Sequence, residues 1–255
     1  MDQREAAARI AEGLIGAGVR SGGTVLVHSS LKSMGPVPGG PETVILGLLE
    51  ALGPEGTLLL PALSYATVHA VNPVFDVRRT PSCVGAIPEH FRTRPGTTRS
   101  VSPTHSVCGV GPRAEELLSS QQLDTTPCGP HSAFRALRDI GGQIVMLGCG
   151  LAPNTSMHGV EEVADAPYLF GATVEYRVVL ADGMEAKLSI RRHAFAGWIQ
   201  RYERVKQILP PEALHSGPVL AATAHVIEAA IMWPMAVEAI RREPYYFVER
   251  EERSR

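Results

Sequence analysis

Short apolar runs alternate with amphipathic stretches through the first part of the chain, and that alternation predicts its elements. Residues 3–17 carry Ala6, Ile10, Leu14 and Ile15 at helical spacing, and Gly16 and Gly18 end the helix. Thr24 to Val27 is a short buried strand, Pro41 suits the first position of a helix reaching about Leu52, and Thr57 to Leu60 is a second strand. Strand, loop, helix and strand in that order is a βαβ unit, which predicts an α/β fold. The stretch from Pro61 to Thr98 is loop-rich, with one short helix at about Ser82 to Arg92. Helices follow at about Pro112 to Ser119 and Ser132 to Asp139, then a buried strand from Gln143 to Leu147. Thr173–Leu180 and Met184–Ile190 flank Ala181-Asp182-Gly183, a strong hairpin signal. Beyond Arg192 helical pieces alternate with turns, including an amphipathic helix around Val219 to Ile231. With no repeat and no linker, residues 1–255 read as a single domain, with 171–255 marked as a candidate C-terminal subdomain.

Composition narrows the class. An apolar fraction of 44% can fill a sizeable core, and a formal net charge of −2 gives no sign of nucleic acid or an anionic membrane as partner. No apolar run approaches the roughly 18–20 residues of a membrane-spanning helix, and the N-terminus does not resemble a signal peptide. Cys83, Cys108, Cys128 and Cys149 are scattered without a C-x-x-C pair, which argues against a zinc knuckle or a disulfide scaffold. The expectation is a cytoplasmic protein.

Polar constellations stand at the ends of the apolar runs. The strand at Gln143–Leu147 gives way to Gly148, Gly150 and Pro153, then to Asn154-Thr155-Ser156, good helix N-caps, and then to His158, Glu161 and Glu162. Three residues apart on a helix, His158 and Glu161 share a face, so a carboxylate can orient an imidazole acting as general base. The same spacing also fits a surface ion pair. For zinc, further ligands at regular spacing are missing, so no metal is expected. His28-Ser29-Ser30-Leu31-Lys32 ends the first strand with hydroxyls, backbone N–H groups and an ammonium, a set suited to a phosphorylated ligand or to an ordinary polar loop. Ser102-Pro-Thr-His105-Ser106 is a third cluster, a ligand contact or simple turn chemistry. Cys108 and Cys149 sit in apolar surroundings and read as small hydrophobes rather than nucleophiles. No G-x-S-x-G elbow, Walker or dinucleotide motif is present.

Together the segments Val27-His-Ser-Ser-Leu-Lys-Ser-Met-Gly35, Arg99-Ser-x-x-Pro-Thr-His-Ser106 and Leu147-Gly-x…Asn154-Thr-Ser-x-His158-x-x-Glu161 resemble the aminoglycoside 3-N-acetyltransferase family. Phe75-Asp76 with Thr80-Pro81-Ser82, and Pro127-Cys-Gly-Pro-His-Ser132, fit in register, so the resemblance spans about residues 4–248. It implies a three-layer α/β/α sandwich around a mixed sheet, with a C-terminal helical and hairpin portion. It implies acetyl-CoA as co-substrate and an amine of an aminoglycoside or similar amino sugar as acceptor; a monomer or homodimer without a metal is expected. By the same resemblance, His28, Ser29, Ser30, Leu31, Lys32 and Ser33, with Thr104, His105, Ser106 and Val107, hold the CoA diphosphate and pantetheine. His158 is the base with Glu161 beside it, His28 has a catalytic or thioester-positioning role, and His193 lies near the site. One departure stands out, Ser102 where the family usually has the histidine of Arg-Ser-x-His-Pro.

On that footing Thr155 is a candidate oxyanion donor, and Asp76, Glu162 and Asp165 are candidate carboxylates for drawing a polycationic acceptor. The rival readings are an acyltransferase acting on a non-antibiotic amine, a CoA-binding protein without an acceptor, and a metal-dependent hydrolase built on His158, Glu161 and a further histidine.

Overall fold

The computed structural model describes residues 1–251. Its centre is a mixed seven-stranded sheet in the order β10-β11-β6-β1-β2-β5-β4. The parallel core is β1 (Thr24–Ser29), β2 (Thr57–Pro61) and β6 (Gln143–Leu147), joined by α2 (Pro41–Leu52) and longer crossovers. These strands are almost continuously apolar because helices cover both of their faces. Successive residues point to opposite faces: Val25 and Val27 pack under α1 (Gln3–Gly16), α2 and α3 (Ala86–Thr93), while Leu26 faces the other side. There it meets α4 (Ala114–Leu118), α5 (Ala133–Asp139), α6 (Ser156–Ala164) and α7 (Ala229–Arg242). The architecture is the expected α/β/α sandwich.

Antiparallel strands close the sheet. On one side β5 (Val107–Val110) and the short β4 (Thr98–Arg99) follow β2; on the other, β11 (Ala222–Glu228) pairs with β6 and with β10 (Leu214–Val219). The helix expected around Val219–Ile231 is therefore mostly strand. Its alanines and aliphatics satisfy a helical period and a two-residue period alike, and the free edge of β6 decides for pairing. A turn at Leu220 (φ 51°) joins β10 to β11, and the helix starts only at Ala229.

The hairpin of β7 (Phe170–Val179) and β8 (Glu185–His193) turns through Gly183 at φ 88°, as Asp182-Gly183 predicts. It forms a smaller sheet with β3 (Val74–Asp76), a strand inside the stretch expected to be loop. β9 (Trp198–Gln200) and β12 (Val248–Arg250) make a two-stranded pair. Among the described residues no helix is long and apolar enough to cross a membrane.

Helix α6 is pressed against α7 at Gly159, where a Cβ would lie 2.3 Å from the ring tip of buried Trp233. Gly159→Val is expected to lower the unfolding free energy by about 1–3 kcal/mol through overpacking. A urea midpoint equal to wild type would show instead that the two helices have room to part.

Candidate active site

Two adjacent parallel strands deliver the first residues of the site. In the pairing of β1 with β6, His28 stands opposite Met146 and Ser29 opposite Leu147, so the loops leaving both C-terminal ends meet. Crevices at the carboxyl ends of parallel strands are where α/β folds bind ligands. After β6 the chain turns at Gly148 (φ 72°) and Gly150 (φ 67°) and enters α6, whose first turn Asn154 ties down by accepting from Ser156 N–H at 3.1 Å. Thr155 precedes the helix, and its Oγ1 makes no hydrogen bond among the described residues.

His158 and Glu161 project from α6 to the same side. Their direct contact is long, Nδ1 to Oε2 at 3.4 Å. The short connection runs through Tyr202, whose hydroxyl lies 2.8 Å from His158 Nδ1 and donates to Glu161 Oε2 at 2.8 Å. Tyr168 donates to the other oxygen, Oε1, at 2.9 Å. A hydroxyl has a single proton. If Tyr202 gives its proton to the carboxylate, Nδ1–H of His158 must donate to the Tyr202 oxygen, and Nε2 keeps its lone pair. Burial beside Glu161 holds the Tyr202 hydroxyl well above the ordinary phenol range, so it stays protonated. Neither tyrosine carries a sequence signal, since both come from stretches with no motif.

Three imidazoles converge here. Ring centroids of His105, His158 and His193 are 5.2–5.6 Å apart, and Phe195 lies 5.1 Å from His158. Phe195 holds a left-handed backbone (φ 48°), a strained state for a bulky side chain. Burial, and then the neighbouring histidines, push His105 well below the ordinary imidazole range; burial and His158 do the same to His193. His193 Nε2 sits 2.8 Å from Glu162, so in the neutral ring that nitrogen carries the proton. Its Nδ1 is a buried acceptor without a partner. Among the described residues no group of histidine, cysteine and acidic side chains is arranged to hold a metal ion.

Three neighbouring cavities around these residues share wall residues. A groove of about 550 Å³ is lined by Ser29, Ser30, Leu31, Lys32, Gly40 and Ile87, among others. Ser29 also borders a narrow neck of about 150 Å³ walled by His28, Cys149, Pro153 and Thr155. Pro153 and Thr155 in turn border a pocket of about 480 Å³ that holds His105, His158, Arg192, His193, Phe195 and Tyr202. Burial, and then the neighbouring His158 imidazole, push His28 down to about 3, and its Nε2 has no partner. Burial raises the Cys149 thiol to about 11.

Other expected site residues lie elsewhere or are already engaged. Ser33 is exposed and pairs with Ser30 at 2.9 Å. Thr104 contacts His105 Nδ1 at 2.9 Å, so of the Thr104–Val107 segment His105 is the one that lines the pocket. Ser106 is buried, donating to Ala62 O and accepting from Arg99, and Val107 is core. Ser102 stands where a family histidine was expected and accepts from His105 N–H at 3.3 Å, fixing that turn. Asp76 accepts from the backbone N–H groups of Arg78 and Arg79, and Asp165 is an exposed helix cap with φ 55°. Neither borders the pocket. Glu162 is buried and accepts from Thr126, the Cys128 N–H and Arg135 as well as His193. It anchors the fold around His193 and presents no oxygen to the pocket.

The buried neutral histidines set a pH dependence for stability. A folded-state value of about 3 for His28 lies below the ordinary 6.5, so between these pH values the unfolded chain binds more protons. Stability is therefore full above pH 6.5 and declines as pH falls, by about 2 kcal/mol from His28 alone between pH 6.5 and 5. Urea unfolding of wild type and His28→Gln across that range would reveal it; equal slopes would contradict the buried neutral state.

A groove, a narrow cavity and a pocket that share wall residues beside an oriented imidazole give room for two ligands, as a group-transfer enzyme needs. Comparison with known proteins specifies the kind. The sequence model described as aminoglycoside 3-N-acetyltransferase matches residues 26–241, and the chain belongs to that family. Aminoglycoside N(3)-acetyltransferase IV from Salmonella sp is 30% identical over 92% of this chain and 87% of its own length. The solved structure of AAC-IIIb with CoASH superposes with a TM-score of 0.81 at 26% identity, covering 95% of this chain and 97% of that one. A mutant of AAC(3)-IVa in complex with a gentamicin gives 0.79 at 28% identity, covering 94% and 90%.

Proposed function

We propose that this enzyme transfers the acetyl group of acetyl-CoA directly to an amine of an aminoglycoside or similar amino sugar, with His158 as general base. The observation that carries the reading is the Glu161–Tyr202–His158 chain, which engages His158 Nδ1 and leaves Nε2 without a hydrogen-bond partner on a residue that lines the pocket. Related structures with CoA in one case and an aminoglycoside in another support two ligands meeting at this site.

In this reading CoA occupies the groove. Lys32 and the N-terminus of α2 beside Gly40 suit a diphosphate, and the neck suits a slender pantetheine arm. His28, held neutral, lies beside that arm without adding charge next to His158. The acceptor enters the pocket, and its uncharged amine attacks the thioester carbonyl. A C–N bond forms, His158 Nε2 takes the amine proton, and Glu161 stabilises the imidazolium through Tyr202. The C–S bond then breaks and the departing sulfur takes that proton, so CoA leaves as its thiol. Thr155, with its hydroxyl uncommitted at the junction of neck and pocket, is placed to donate to the developing oxyanion. The raised Cys149 thiol is a poor nucleophile at neutral pH, which favours direct transfer over an acetyl-enzyme. The place of work is the cytoplasm, where four free cysteines persist.

The test is CoA-thiol release from acetyl-CoA with a panel of aminoglycosides, amino sugars and small amines, with mass spectrometry of the acceptor. An acceptor gaining one acetyl group per thiol released supports the reading. Acetyl-CoA binding without thiol release from any amine would favour a CoA-binding protein instead.

A further inference from the structure

The charges around the acceptor pocket point to a narrower substrate class. A polycationic acceptor surrenders much of its hydration on entering a pocket and needs carboxylates there to compensate. Among the described residues that line this pocket none is acidic. The two carboxylates of α6 are spent: Glu161 accepts from Tyr168 and Tyr202, and Glu162 from Thr126, Cys128 N–H, Arg135 and His193. Both are buried, with side-chain exposures of 0% and 3%. Asp76 and Asp165, the other acidic candidates, lie outside the wall.

The wall does hold one permanent cation. Arg192, next to His193 near the end of β8, lines the pocket and makes no hydrogen bond or ion pair among the described residues. Its neighbour Arg191 is turned away, stacked over Phe170 at 4.3 Å. His105 and His193 are held neutral, so they neither cancel the guanidinium charge nor repel an anion. A free guanidinium offers a planar fork that matches carboxylate or phosphate oxygens.

We infer that the preferred acceptor is an amino sugar bearing an acidic group, whose anion engages Arg192 while its amine reaches His158. This rests on the acetyl-transfer reading above and narrows its acceptor. Arg192 then determines specificity and takes no part in the proton transfer. The neutral imidazoles and the Tyr202 hydroxyl leave room for sugar hydroxyls to hydrogen-bond without further charge.

The experiment measures kcat/KM by thiol release for glucosamine, glucosamine 6-phosphate, a 2-amino-2-deoxyuronic acid, gentamicin and apramycin. The expected result is that at least one acidic amino sugar exceeds glucosamine by about tenfold or more and also exceeds both polycations. The phosphate and carboxylate arms separate the two sources of negative charge. Arg192→Gln is expected to lower the acidic-to-neutral kcat/KM ratio about 10- to 100-fold, with Arg192→Lys restoring part of it. Circular dichroism and acetyl-CoA affinity of each variant show whether fold and donor site persist. Should Arg192→Gln fail to fold, the wild-type ranking and the Lys variant still decide. A wild-type preference for gentamicin or apramycin, or a ratio unmoved by a folded Arg192→Gln, would overturn the inference while leaving acetyl transfer standing. No thiol release from any amine would instead remove acetyl transfer itself, and the acceptor class with it.

Discussion

His158→Ala is expected to lower kcat about 10²- to 10⁴-fold while acetyl-CoA still binds. Aliphatic amines are mostly protonated at neutral pH, and the nitrogen attacks only as the free base. The attack also makes that nitrogen cationic, and without a proton acceptor the adduct reverts to thioester and amine. No neighbour replaces His158 well. His105 and His193 are buried and held well below the ordinary imidazole range, so they are weaker bases. The groove proposed for acetyl-CoA is lined by other residues, so calorimetry with acetyl-CoA should give a dissociation constant close to wild type. The imidazole is at the mouth of α6 with 15% of its side chain exposed, and alanine is a good helix former, so the fold should survive. Turnover near wild type would remove His158 from the reaction.

Glu161→Gln is expected to be nearly as damaging, about 10²- to 10⁴-fold in kcat, although it preserves shape. With a carboxylate at position 161, Tyr202 donates to it and His158 must carry its proton on Nδ1. If the amide nitrogen of glutamine takes the place of Oε2, it donates to the Tyr202 oxygen. The hydroxyl proton then turns toward Nδ1, the imidazole proton moves to Nε2, and the base loses the lone pair that faces the acceptor. The change also removes the negative charge that stabilises the imidazolium. Stopped-flow thiol release measures the loss, and a kcat within about threefold of wild type would show that Tyr202 alone sets the tautomer.

The sequence makes the frame of the site legible because that frame is local. A buried run ending at Leu147, cap residues at Asn154 to Ser156 and a three-residue spacing are all short-range signals, and α6 begins where they place it. The spacing leaves one ambiguity: on a helix both Glu161 and Glu162 lie within reach of His158. Packing resolves it. Glu161 meets Tyr202 and Tyr168, whereas Glu162 turns to Arg135 and His193. Its partners come from α5 and β8, far along the chain, so its expected role in drawing the acceptor could not be weighed from sequence. Tyr202 lies 44 residues from His158 in a segment with no motif, and nothing local marks it. The strand β11 failed for a related reason, since its Ala-rich pattern fits two periods and only its pairing with β6 separates them.

If His158 accepts the proton of the attacking amine, the pH dependence of kcat must differ between wild type and His158→Ala. With saturating acetyl-CoA and acceptor, the expected result is a fall of kcat toward acid pH in wild type that is absent from the residual activity of the variant. His28, His105 and His193 are all held below the ordinary imidazole range, so they stay neutral near neutral pH and do not supply that fall. A fall toward acid pH that persists unchanged in His158→Ala would place the base elsewhere.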